Sequence, residues 1–144
     1  MSVPVLDAPA DELKALISGL AGFSAEKWEP QILSPPCGTV SVPSVRRTGP
    51  DEAESQLGSD DWYAEYTVSL YFDLKKAQSA QQQMVDAATA FVQAVDADPS
   101  LGGTVLDAGV TGVDPVIADG RTRANRPLVV YEITVATLCL VQYS

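Results

Sequence analysis

A chain of 144 residues is the length of one ordinary domain and buries a core without needing disulfides or a structural metal. It carries 19 acidic against 9 basic residues, a formal charge of −10, and a surface that negative disfavours nucleic-acid binding through counterion release. Histidine is absent, so Ser-His and Cys-His nucleophile pairs and His-containing zinc sites cannot be built.

Residues 9–20, PADELKALISGL, place Leu13, Leu16, Ile17 and Leu20 at helical spacing, with Pro9, Asp11 and Glu12 in the first turn and Gly19 and Gly22 at the end. Fixed φ and negative charge both suit a helix start, so an amphipathic helix is expected here. Residues 28–45, WEPQILSPPCGTVSVPSV, mix short β-branched runs with Pro30, Pro35, Pro36 and Pro43. Proline cannot donate to a ladder, so edge strands at best are expected, with a hairpin around Pro36 to Gly38. Residues 46–60, RRTGPDEAESQLGSD, hold one large apolar side chain and read as an exposed loop or hairpin tip.

Residues 61–74, DWYAEYTVSLYFDL, give the clearest strand. Trp62, Ala64, Tyr66, Val68, Leu70, Phe72 and Leu74 alternate with Asp61, Tyr63, Glu65, Thr67, Ser69, Tyr71 and Asp73, which predicts one buried face and one wet face. Residues 75–97 contain neither Gly nor Pro and set Met84, Ala88, Phe91, Val92 and Val95 on one side, a core-facing helix. Two strands follow: residues 104–117, broken by Gly109, Gly112 and Pro115, and residues 127–142, with Val129, Tyr131, Ile133, Val135, Cys139 and Val141 on one face. The loop ADGRTRANR between them carries Arg121, Arg123 and Arg126.

The two cysteines, Cys37 and Cys139, lack CxxC spacing and read as small buried hydrophobes. No window approaches the ~18 consecutive apolar residues of a membrane-spanning helix, and the N-terminal MSVPVLDAPADEL has neither the basic nor the apolar region of a secretory signal. A soluble single domain over 1–144 is expected, with a proline-rich, acidic arm or loop at about 28–60.

One stretch, DADPSLGGTV at 96–105, admits three chemistries. Asp96, Asp98 and Ser100 match the first ligand positions of a calcium loop, but Leu101 stands where that loop needs glycine and Asp107 where it needs a bidentate Glu. A phosphate cradle needs its glycines between a strand and a following helix; here Gly102 and Gly103 follow a helix and enter a strand. A helix-to-strand turn is the reading that survives.

For surface contacts, the segment from Arg46 and Arg47 through Asp51, Glu52 and Glu54 is either a solvated loop or a projecting contact surface. Arg121, Arg123 and Arg126 are either a solvated turn or partners for acidic surfaces of neighbouring subunits. Tyr63 and Tyr71 face away from the apolar side of their strand and are candidates for an interface.

The Trp-led strand DWYAEYTVSLYFDL, the polar-faced helix, the DPSLGGTV turn, a glycine-broken strand and the final PLVVYEITVATLCLV resemble the tail terminator, or tail completion, proteins of long-tailed bacteriophages over residues 61–142. The resemblance implies an α+β sandwich: a mostly antiparallel sheet of four to five strands with two helices packed on one face. It also implies a hexameric ring that caps the head-proximal end of the tail tube, stops its elongation and docks the head connector. Expected partners are further copies of the chain, the tail tube protein and the head-tail connector protein. DNA would pass through the channel without sequence-specific binding, and no cofactor, metal, membrane or catalytic role is implied. Another neck or tail tube ring subunit is the related alternative, and a small-ligand-binding or enzymatic α+β domain the distant one.

Overall fold

The computed structural model describes residues 2–28, 35–47, 61–73, 77–118 and 128–143. In chain order the elements are β1 (Ser2–Pro4), α1 (Asp7–Ser18), β2 (Ser24–Lys27), β3 (Cys37–Val40), β4 (Ser44–Arg47), β5 (Trp62–Asp73), α2 (Ala77–Ala97), β6 (Val105–Ala118), β7 (Leu128–Cys139) and β8 (Val141–Tyr143). The class is α+β, and the main sheet has six strands rather than four to five.

Long strands with strict alternation form its centre. β5 and β7 pair antiparallel from Tyr63 opposite Leu138 to Asp73 opposite Leu128. β6 adds to the far side of β7, while β3 and β4 share the other side of β5, with β2 beyond β3 in the one parallel pairing among the described strands. The proline-rich segment therefore contributes more than edge strands. β3 is internal and all four of its residues are buried. Prolines do not obstruct this, because Pro35, Pro36 and Pro43 lie just outside β3 and β4 and remove no donor from either ladder. The expected arm at 28–60 is correspondingly shorter: Cys37–Val40 and Ser44–Arg47 belong to the sheet, and residues 48–60 lie outside the described residues.

Instead of breaking, β6 runs through Gly109, Gly112 and Pro115 as one strand, with register shifts at Val105/Asp107 and Val110/Gly112. β-bulges absorb the irregular residues, and a proline is tolerated because β6 lies at the sheet edge. The last strand ends earlier than its apolar pattern suggests. Beyond Cys139 the chain leaves β7, and β8 pairs antiparallel with β1, joining the two ends of the chain in a small second sheet.

Both helices cover one face of the sheet. From α1, Ala10, Leu13 and Ile17 are fully buried; α2 adds Met84, Ala87, Ala88, Phe91 and Val95. They meet Ala64, Tyr66, Val68, Leu70 and Phe72 of β5 and Ile133, Val135 and Cys139 of β7 in one core. Close approach of α1 depends on Gly38. A Cβ built there would sit 2.5 Å from Ile17 Cγ2 and 3.0 Å from Leu70 Cδ2. Cys37 and Cys139 are both buried free thiols.

The chain's early turn is fastened to this core by Tyr66, fully buried, whose hydroxyl donates to the Leu6 carbonyl at 2.6 Å. Burial, with smaller contributions from Cys139 and Asp7, pushes its phenol well above the ordinary 10.0. An unfolded phenol titrates near 10, so the folded state holds the proton more tightly. The resulting stability is full below about pH 10 and is lost as pH rises toward the native value. Tyr66→Phe should cost about 1–3 kcal/mol at neutral pH, because the part-buried Leu6 carbonyl loses its donor. Urea midpoints measured from pH 8 to 11 should fall less steeply for this variant above pH 10 than for the parent chain.

Candidate interaction surface

The sheet face turned away from the helices is the candidate functional surface. Strand register assembles it from the residues between the core positions. One row crosses five strands as Glu26, Thr39, Ser69, Glu132 and Asp114. A second row pairs Thr67 with Thr134, and a third sets Asp107 beside Leu138 and Tyr63. Glu26, Glu65, Asp107 and Asp114 are exposed, while Thr67, Glu132 and Thr134 are half-buried. Carboxylates and hydroxyls dominate. Asp114 stands directly opposite Glu132, a like-charge cross-strand pair that disfavours the sheet unless a cation lies near.

Only part of this face is wet, contrary to the simple two-face expectation. Tyr71, Cys37 and Val130 form a second buried cluster there, with Tyr71 at 3% exposure. Its ring is thus taken up by this small core and is not presented as a contact surface. Tyr63 is half-buried beneath Arg46, whose guanidinium carbon stands 4.9 Å from the ring centroid. Arg47 lies 5.2 Å from the Trp62 ring in the same way. These contacts follow from β4 pairing with β5, which sets Arg46 opposite Tyr63 and Arg47 opposite Trp62. Stacking on a ring face holds a guanidinium in place. Of the other expected contact residues, Asp51, Glu52, Glu54, Arg121, Arg123 and Arg126 lie outside the described residues.

Nothing in the sequence alone singles out Glu65, Asp107, Asp114 and Glu132 as contact residues. The alternation of β5 and β7 already placed Glu65 and Glu132 on the open face. What the alternation could not supply was the register that brings Asp114 beside Glu132, because bulges in β6 shift it.

DPSLGGT after α2 is a structural turn. Asp98 Oδ1 accepts from the Ser100 hydroxyl at 2.9 Å and Oδ2 from the Gly102 N–H at 2.8 Å, so its carboxylate is engaged within the turn. Leu101 is 1% exposed with φ +45°, and Gly102 and Gly103 follow with φ +66° and +81°. That left-handed run reverses the chain into β6 while Leu101 enters the core.

Two other features lie on the helix side of the sheet. Lys27 binds Asp7 at 2.6 Å and Asp11 at 2.9 Å, hydrogen bonds that raise its pKa and tie β2 to α1. Between α2 and the β6 edge lies a groove of about 310 Å³ lined by Val85, Ala88, Val92, Val113 and Tyr131, with Thr89 and Gln93 as its polar members. Among the described residues no group of three or more Cys, Asp or Glu side chains is placed to hold a metal. No described helix is long and apolar enough to cross a membrane.

Neither a protein-family model nor a curated protein matches the chain. Among solved structures, a chain from a particle described as "Virion of native gene transfer agent (GTA) particle" aligns over 95% of this chain and 96% of its own length. The TM-score is 0.42 and the sequence identity 10%. A likeness at that level leaves the functional reading to the residues themselves.

Proposed function

We propose that this chain is a structural subunit of a phage-type virion, forming a ring that caps the head-proximal end of the tail tube. In this role it stops tube elongation and offers the docking surface for the head connector, while DNA passes through the central hole. The open sheet face carries the proposal: it presents Glu26, Glu65, Asp107, Asp114 and Glu132 with Arg46 as its basic side chain among the described residues. A channel wall of this sign repels phosphates, so a duplex passes without sticking. The resemblance over residues 61–142 to tail terminator proteins supports the same reading, as does the overall charge of −10.

On this reading the partners are further copies of the chain, six in a hexamer, together with the tail tube protein and the connector protein. The chain resides in the tail of the particle and, during assembly, in the host cytoplasm. It performs no catalysis. Another neck or tail tube ring subunit would use the same face. The groove beside α2 favours a different class, a small-ligand-binding domain, but it offers an apolar wall with few convergent polar groups. Light scattering over a concentration series tests the ring: the proposal expects a discrete multimer of fixed mass, and a chain that stays monomeric throughout contradicts it.

A further inference from the structure

The two edges of the main sheet differ in chemistry, and the difference is complementary. One edge is β6, and among the described residues nothing pairs with its outer side. It presents Asp107 and Asp114 toward the open face and Val113, 37% exposed, toward the helix side. On the other side the edge is divided between β2, beyond β3, and β4, which pairs with the first four residues of β5 and is exposed along its whole length. β4 presents Arg46 toward the open face and Val45, 38% exposed, toward the helix side. An unpaired strand edge presents free N–H and C=O groups that can template further strand pairing.

From this we infer that β4 of one copy adds to β6 of the next, continuing the sheet from subunit to subunit. The inference rests on the ring reading and names its contact. Strand directions permit it: β4 and β7 both run antiparallel to β5, and β6 runs antiparallel to β7. β4 and β6 therefore run in opposite directions, and copies that keep a common strand axis meet in an antiparallel pair. Face assignments also agree. Arg46 enters the open face beside Asp114, while Val45 and Val113 both lie on the helix side. Arg46 is held by Tyr63 at 4.9 Å, and none of the described carboxylates pairs with it. The opposed carboxylates of Asp114 and Glu132 gain a cation, which no described residue of their own subunit supplies. Because the two edges are different surfaces, the contact is head-to-tail, the kind that closes into rings.

Sedimentation velocity on the full chain at low and high salt tests this. Arg46→Glu should weaken self-association by roughly tenfold or more at low salt, and Asp107→Lys with Asp114→Lys should do the same. Combining the reversals on both edges in one chain should restore assembly, while circular dichroism confirms that each variant is folded. A disulfide between Arg46→Cys and Asp114→Cys should form between copies and yield a ladder of multimers on oxidation. If multimers form with unchanged affinity in both charge-reversed variants and no ladder appears, the strand pairing is wrong and the ring stands. If the unaltered chain never associates, both fall.

Discussion

Phe91→Ala should remove about 3–5 kcal/mol of folding stability, the cost of deleting a large aromatic group from a core that cannot collapse around it. Phe91 is fully buried on α2, in the core shared by both helices, β5 and β7. Its ring is central to the contact between α2 and the sheet, and alanine leaves a void bounded by elements already fixed by strand pairing. Domains of this size are stable by only about 5–15 kcal/mol, so the loss is a large fraction of the total. A drop of roughly 10 °C in melting temperature is expected. Differential scanning calorimetry checks it. A change below about 1 kcal/mol would mean that α2 packs on the sheet by another face.

Gly38→Ala should destabilise through the opposite mechanism, overpacking, by about 1–3 kcal/mol. The added methyl meets Ile17 Cγ2 at 2.5 Å and Leu70 Cδ2 at 3.0 Å. Ile17 is fully buried and branches at Cβ, so that methyl cannot swing away by a change far out along the side chain. Either α1 lifts from β3 or β3 shifts within the ladder it shares with β2 and β5. Ile17→Leu removes the branch that collides, so the double variant should recover part of the loss. Chemical denaturation of both singles and the double gives the coupling directly. Additive losses would show that the Gly38 methyl clashes with something other than Ile17.

Much of this architecture is legible in the residues because local and global preferences agree where periodicity is strong. β5, β7 and the two helices follow from alternation and from apolar spacing, and their core faces match the expected sets from Ala64 to Phe72 and from Val129 to Cys139. Where prolines and glycines interrupt a pattern, the reading fails in a consistent direction. It underestimates the sheet, because Pro35, Pro36 and Pro43 stop just short of strands, a bulge of β6 accommodates Gly112 and the edge position of β6 accommodates Pro115. Tyr71 shows the converse limit. Its position on the alternate face predicts exposure, yet Cys37 and Val130 from strands distant in sequence enclose it. Only register brings those three together.

The open face shows the same division. Alternation assigns Glu65 and Glu132 to one side of the sheet, but their company with Asp107, Asp114 and Arg46 depends on which strands become neighbours. β6 and β4 end up at opposite edges through long-range pairing that no local signal contains. The DPSLGGT turn is the reverse case. Its geometry is set within a few residues by Asp98, Ser100 and two glycines of positive φ, so the sequence alone selects the structural reading over the metal and phosphate alternatives.

Negative-stain microscopy of the purified chain, across protein concentration and salt, tests the central claim most directly. The account predicts annular particles of uniform diameter with an open centre, more abundant at low salt, where the acid-arginine contacts are least screened. Compact dimers or monomers with no annular species under any of these conditions would contradict it.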